Sequence, residues 1–446
     1  MATTRPRGSS IFSGTFLIFI GLVLLLHNYR GLEIGGLFTR WWPLIFIIWG
    51  AIKLYERTAG ARYGTGSRTT GTEIFLIVGL LALVGIVVGE ETAQNRWPGL
   101  INTDFGNTSS FDLDVPAKTV PADARILVRG RRGDVTVRGS DTAEIRVSGK
   151  KNVNSWSESE AQRRADRIGA EIVQNGDGYE VHPTGDPETR SSVDLEVEVP
   201  KKARVTIQSA KGDVTVSDMS TPVEIEGKNG DVDVRDTLGD VNVEAHHGDT
   251  KISNTTGNVQ ISGSGGGVEV VNASGSLTLN GEFIGVVRAE KVAKGMRFVS
   301  HRTDLTIAQL SGHMETGSGN MEIIDAPGNL SLRTREDDIS IENATGKVTV
   351  TNSKGNIEVR FSSPPKEDIE ITNSSAAITI SLPASSSFDI LGDCHSCDID
   401  SEFSGDNLRQ TNTSGNGHLE GKYGSGRGPK ITLKTSYGSI SIHKTS

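Results

Sequence analysis

The two cysteines of this 446-residue chain fall together in Cys394-His395-Ser396-Cys397. That spacing suits a redox pair, half of a zinc site or a short disulfide. No second CxxC completes a zinc site, and no strand–CxxC–helix pattern surrounds this one. Outside the cytoplasm the expectation is therefore a structural disulfide, Cys394–Cys397, or idle thiols. Asp213, Asp231 and Asp249 recur every eighteen residues, so a regular coil would stack their carboxylates on one edge. Stacked like charges repel unless water or a cation separates them, and calcium takes oxygen ligands of this kind. The GGxGxDx spacing of calcium-binding rolls is absent, so local turn hydrogen bonds by Asp after Gly are expected instead. Arg288, Lys291, Lys294, Arg297 and Arg302 form a basic interval. It is a candidate anion-binding face for an envelope polymer or a lipid surface, or a solvated face balanced by Glu290 and Asp304. His246-His247 has no motif around it, and no GxSxG, Walker loop or HExxH occurs. The sequence therefore points to no catalytic residue, metal or cofactor.

The elements that must position these residues come from a nine-residue repeat. It starts with GDVTV at Gly212 and continues through TPVEI, GDVDV, GDVNV, GDTKI, GNVQI, GGVEV and GSLTL at Gly275. The third and fifth positions are apolar or β-branched, as in Val232/Val234 and Val241/Val243, and the residue between is polar, as in Asp233 and Asn242. Period-two alternation buries one set and exposes the other. The preceding Gly is expected to turn the chain with positive φ. The seventh position alternates in kind: Asp218, Asp236, Asn254 and Asn272 in odd units, Gly227, Ala245, Gly263 and Gly281 in even ones. Chemistry recurring every eighteen residues implies two strands per coil, with Asn side chains close enough to hydrogen-bond from coil to coil, about 4.8 Å apart. The fold class predicted is all-β, a parallel β-solenoid. Small slips before Gly285 and Gly319 leave the step otherwise intact through GNIEV at Gly355. Roughly eight coils would make a rod on the order of 40 Å long.

The flanks differ. Three apolar runs, Ile11–Leu26, Trp41–Ile52 and Ile74–Val88, predict a three-helix transmembrane anchor over 1–92, with helices near 11–27, 37–55 and 73–89. Arg5 and Arg7, then Lys53, Arg57, Arg62 and Arg68, place the N-terminus and second loop in the cytoplasm and everything after Gly89 outside it. A polar stretch, 93–110, reads as a linker. Residues 111–210 read as a capping β region with one helix over 157–169, since a solenoid needs its open edge covered. The regular repeat occupies 211–361, and irregular coils occupy 362–446, with no evident cap at the end. The net charge of −9 argues against nucleic acid as a partner.

Two resemblances have residues to stand on. Phe16–Leu26, Trp41-Trp42-Pro43 and the apolar run after it resemble the LiaI/LiaF-type transmembrane module. VDLEVEVPKKARVTIQSAKGDVTV, the GDVxV repeat, ITISLPASSSFDI and GSGRGPKITLKTSYGSISI resemble the bacterial putative-adhesin β-solenoid family of unknown function. Together these imply a cell-envelope protein anchored in the lipid bilayer, with no assigned catalytic residues. The expected function is non-catalytic binding or scaffolding toward an envelope polymer or a membrane protein. The alternative is an envelope-stress sensor acting through its membrane helices.

Overall fold

The structure, a computed structural model, describes residues 107–155, 157–185, 191–413 and 415–446. The three predicted membrane helices lie outside the described residues. Among the described residues, no helix is long and apolar enough to cross a membrane.

Successive nonapeptides alternate between two sheets. Val214–Ser217, Val232–Thr237, Thr250–Thr255 and Val268–Ala273 lie in one. Val223–Gly227, Val241–Ala245, Val259–Gly265 and Leu277–Phe283 lie in the other. Each strand pairs in parallel with the one eighteen residues on, Val232 with Thr250 and Val223 with Val241. Val232, Val234, Val241 and Val243 are buried between the sheets, while Asp233 and Asn242 face outward. Each such buried side chain contributes roughly 1.5–3 kcal/mol, an upper range because unfolded chains bury some surface already.

The corners explain the alternating seventh position. Asp218, Asp236, Asn254 and Asn272 all take left-handed φ, between 53° and 62°. Among side-chain-bearing residues Asp and Asn visit that region at least cost. The twist swings the next residue inward, so Thr237, Thr255 and Ala273 are buried. The side chains then link coil to coil: Asn254 Nδ2 donates to Asp236 Oδ1 at 3.0 Å, and Asn272 Nδ2 to Asn254 Oδ1 at 3.1 Å. The repeat glycines serve two purposes rather than the one expected. Gly212 and Gly230 have φ of 130° and 141°. Gly257 and Gly275 have no such φ; a Cβ on either would run into the carbonyl of the glycine one coil below.

The slipped interval reverses the chain, which the repeat did not reveal. Met296–Val299 pairs antiparallel with Asp304–Ile307, and Val287–Val292 antiparallel with Leu310–Thr316. Leu310–Thr316 then pairs antiparallel with Asn320–Ile324, and Asp304–Ile307 with Leu330–Arg333. One coil therefore runs backwards between two hairpins before parallel stacking resumes. Alternation is kept throughout, with Leu305, Ile307 and Met314 buried.

Both ends are closed by the chain itself. At the start, Asn107–Thr119, Glu144–Ser155 and Ser191–Pro200 pair antiparallel and lead onto Val135–Ser140. Asn107–Thr119, the first strand among the described residues, thus reaches into the stretch read as linker. The helix runs over Glu158–Ala165, shorter than 157–169, capped by Ser157 with Ala161 and Ala165 buried. Gly169 opens a new strand, Gly169–Asn175. At the other end the order of coils departs from chain order. Lys430–Thr435 inserts between Ile369–Asn373 and Phe388–His395, and Ile440–Thr445 between Ile378–Pro383 and Ile399–Ser401. The spatially last coil is covered by the hairpin Leu408–Thr413/Asn416–Tyr423. Tyr423 of that hairpin packs with Phe388 and Phe403 of the coil, with ring centroids 4.7–5.5 Å apart.

Candidate functional site

The stacked aspartates act between coils rather than within their own turns. Asp231 N donates to Asp213 Oδ1 at 2.8 Å, Asp249 N to Asp231 Oδ1 at 2.8 Å, and Gly267 N to Asp249 Oδ1 at 2.7 Å. On the opposite corner Asn258 N donates to Asp240 Oδ1 at 2.7 Å. Each carboxylate is thereby held by a backbone donor of the next coil, a charge-assisted bond that offsets part of the repulsion along the column. Among the described residues no group of three or more His, Cys, Asp or Glu side chains is placed to hold a metal ion.

Cys394 is buried at the end of Phe388–His395, and the chain turns through Ser396, at φ 60°, to bring Cys397 back. The Cα atoms are 5.5 Å apart and the sulfurs are joined. Cys397 N donates to Gly415 O at 2.7 Å, which ties this turn to the covering hairpin.

The basic interval is divided. Arg288 points outward from one sheet and Arg297 from the other. Lys291 sits at a left-handed corner, Lys294 in the following turn and Arg302 in the hairpin loop. Acids stand beside three of them: Arg288 and Lys291 lie 3.4 and 3.1 Å from Glu290, and Arg297 lies 3.5 Å from Asp304. The five residues do not share one face. His246 lies 3.4 Å from Glu244, its carbonyl accepts from Ser264 Oγ at 3.4 Å, and His247 Nδ1 is 3.2 Å from Lys228 O.

A different cationic place emerges at the cap end. The outer face of the second sheet there runs in the strand order Gly178–Thr184, Arg125–Gly130, Arg204–Ser209, Val223–Gly227. Across it lies a groove of about 510 Å³. Arg125 and Arg204 stand in register on adjacent strands, both exposed. Among the described residues no other two Lys or Arg side chains are paired in register, and neither of these has an ion-pair partner. Like charges so placed destabilise a sheet. Gly178 flanks Arg125 in the same row and leaves that side without a side chain. Arg129, further along, is taken up by Glu180 at 3.3 Å. Thr206 Oγ1 donates to Glu224 Oε2 at 3.3 Å, and Gln208 Nε2 to Glu226 Oε2 at 3.1 Å. The candidates chosen from the sequence missed this pair. Its signal was a repeated turn, Pro121-Ala122-Asp123-Ala124-Arg125 and Pro200-Lys201-Lys202-Ala203-Arg204. Ala124 N and Ala203 N each donate to the proline carbonyl of their turn, at 3.1 and 2.9 Å, and Arg204 N donates to Ala124 O at 2.9 Å, which stacks the two turns.

The titratable groups with shifted pKa values do not converge on the groove. His418 is raised, chiefly by its hydrogen bond to Asp393 at 2.7 Å. Glu282 is lowered first by the backbone N–H of His301, and Glu402 first by that of Lys444. Glu290 is lowered first by its hydrogen bond with Lys291.

Two parts of the chain match known families. Residues 12–101 match the LiaF transmembrane domain, and residues 266–443 match the Toastrack domain DUF4097. The chain thus carries a LiaF transmembrane domain near its N-terminus followed by a strand-rich Toastrack domain. Three solved structures align with it: a putative cell adhesion protein from Clostridium sporogenes, and putative adhesins from Bacteroides fragilis and Parabacteroides distasonis. Their identities are 9%, 8% and 10%, and their TM-scores are 0.17, 0.20 and 0.15. Each alignment covers 76% of this chain and 100%, 97% and 98% of theirs. No curated protein matches the chain.

Proposed function

We propose that this is a membrane-anchored, non-catalytic binding or scaffolding protein of the cell envelope, adhesin-like in working through an exposed surface. In this reading residues 1–92 cross the bilayer three times, with the N-terminus cytoplasmic, and residues 93–110 link them to an extracytoplasmic solenoid. The capping region 111–210, the regular coils 211–361 and the terminal coils 362–446 then form one display rod. Cys394 and Cys397 serve as a structural disulfide suited to that compartment. The LiaF transmembrane match supports membrane association.

One observation carries the reading. The coils are held by inward-facing Val and Ile and by corner Asp and Asn, so the outward positions are left to face a ligand. Lys251 and Glu269, 2.8 Å apart, are typical of those positions. An anchor exchange tests it: Met1–Gly89 is replaced by an unrelated anchor of the same topology. Retained binding of the solenoid to isolated envelope, with an unchanged envelope-stress response, is the expected result. Loss of the stress response with a folded, exported solenoid would replace this reading with that of a sensor.

A further inference from the structure

We infer that the groove over Arg125 and Arg204 is a binding site for a polyol phosphate, a phosphodiester carried on a hydroxyl-rich chain. The inference rests on the binding-protein reading above and names its ligand class.

The charges on the outer faces are out of balance at one place. Elsewhere on the sheets the register sets cations beside acids or neutral residues: Lys251 lies beside Glu269, Glu269 beside Arg288, and Glu342 beside Arg360. The pair Arg125/Arg204 breaks that pattern, and its unfavourable repulsion is relieved when an oxyanion sits between the two guanidinium groups. Two planar forks from neighbouring strands match the oxygens of a phosphate better than ammonium groups would. Both arginines are positioned by main chain, each following a Pro-x-x-Ala turn, with Arg204 N bonded to Ala124 O. The cationic row is therefore built by stacked turns and is not a chance meeting of flexible side chains.

The remaining lining says what else the ligand must carry. Beside the arginine row stand Glu180, Thr206 and Glu224, and beyond Thr206 lies Gln208. These groups accept hydrogen bonds from hydroxyls and would repel a second phosphate set close to the first. A densely charged polyphosphate fits poorly, whereas one phosphate followed by hydroxyls meets a partner at each step. A volume of about 510 Å³ is in the range of small-ligand sites, roughly 300–1,000 Å³. Arg129 is already neutralised by Glu180, so the net attraction concentrates on the arginine pair.

The experiment uses the full chain in nanodiscs of phosphatidylcholine alone, so the bilayer supplies no anionic headgroup. Glycerophosphoglycerol, one phosphodiester between two hydroxyl-bearing glycerols, is titrated in by calorimetry at low and at 0.5 M salt. Binding is expected at low salt, weakened at high salt, and at least ~10-fold weaker in Arg125→Gln and in Arg204→Gln. Arg288→Gln and Arg297→Gln should leave it unchanged. Arg125→Lys, which keeps the charge but loses the fork, should fall between wild type and Arg125→Gln. Circular dichroism checks that each variant keeps its strands. The proposal is overturned by absent binding to wild type, or by undiminished binding to a folded Arg125→Gln/Arg204→Gln double variant. Equal affinity for inorganic phosphate would also overturn it, since the hydroxyl acceptors would then contribute nothing. A chain that binds envelope in the anchor-exchange assay but fails here loses only the ligand class. One that binds here but not to envelope loses the wider reading.

Discussion

The parallel coils and the antiparallel segments of this molecule bury the same kinds of side chain but are laced together differently. Where strands stack in parallel at eighteen residues, each residue lies over its own counterpart, so like stacks on like. Asp and Asn columns exploit this, as in Asp236–Asn254–Asn272 and Asp213–Asp231–Asp249. Where the chain turns back, a strand meets an unrelated stretch and no column can form, so only opposite charges, which parallel neighbours such as Lys251 and Glu269 also use, are left to do the lacing. Arg297 lies near Asp304, His313 near Glu322, and His418 near Asp393. The pattern of inward Val and Ile decides what is buried; strand direction decides which polar device is usable.

The comparison breaks first at a glycine. Gly257 lies in the parallel block, where a Cβ would strike the carbonyl of Gly239. The atoms it meets are all backbone, with no flexible side chain to give way, so Gly257→Ala should cost more than ~3 kcal/mol, the range of severe core changes. Gly319, in a hairpin turn, has φ 88° and open space around the Cβ position. Gly319→Ala should cost only the strain of left-handed backbone, about 1–2 kcal/mol. Denaturant unfolding of both variants measures the difference. Equal losses would show that close approach is not what the parallel block demands of its glycines.

A smaller effect tests the corner columns. Asn254 accepts from Asn272, donates to Asp236 and sits at φ 55°. Asn254→Ala loses both bonds and the tolerance of that φ, for roughly 1–3 kcal/mol. Two coils further the same corner is Lys291, at φ 53°, at the column's end where the chain begins to reverse. Its neighbours Glu290 and Val292 pair with Val271 and Ala273, so Lys291 lies over Asn272. Lys291→Asn should extend the column and stabilise the fold by about 0.5–1 kcal/mol. Its exposed ion pair with Glu290 offsets little of that. A destabilised Lys291→Asn would mean the column does not depend on residue type.

This division also explains what could be read from the chain. Inward and outward positions were legible because alternation is local: Val232 and Asp233 differ whatever lies above them. The eighteen-residue coil was legible because Asp236 and Asn254 must resemble each other to stack. The reversal at 296–316 was not, since TDLTI alternates equally well in either direction. Nor was the insertion of Lys430–Thr435 between earlier strands, because KITLKT and IEITN carry the same pattern and pairing between distant segments leaves no mark on either. The arginine pair was half legible: both Pro-x-x-Ala-Arg turns stood in the sequence, but only the fold sets one upon the other. Arg288 and Arg297 looked contiguous, and the two-sheet coil sends them to opposite faces.

The smallest expected effect lies in the antiparallel covering hairpin. His418 on Asn416–Tyr423 faces Asp393 on Phe388–His395, with Glu420 at 3.6 Å and the uncharged Thr411 on its other side. The hydrogen bond to Asp393 raises the imidazole pKa above its ordinary value. A raised pKa means the folded state holds the proton more tightly than the unfolded chain. The resulting stability is therefore fully present below the unfolded value of about 6.5 and is lost as pH climbs through the higher folded value. Because the pair is about half exposed, with side-chain accessibilities of 45% and 48%, solvent screens most of the attraction. The contribution belongs with exposed ion pairs, roughly 0.2–1 kcal/mol. Unfolding midpoints of the wild type and His418→Gln should differ most near pH 5 and converge by pH 9. The column variant Asn254→Ala has no titrating group at the changed position, so its deficit should stay level over the same range. A His418→Gln deficit that is equally level would show that packing, and not the proton, joins this hairpin to the last coil.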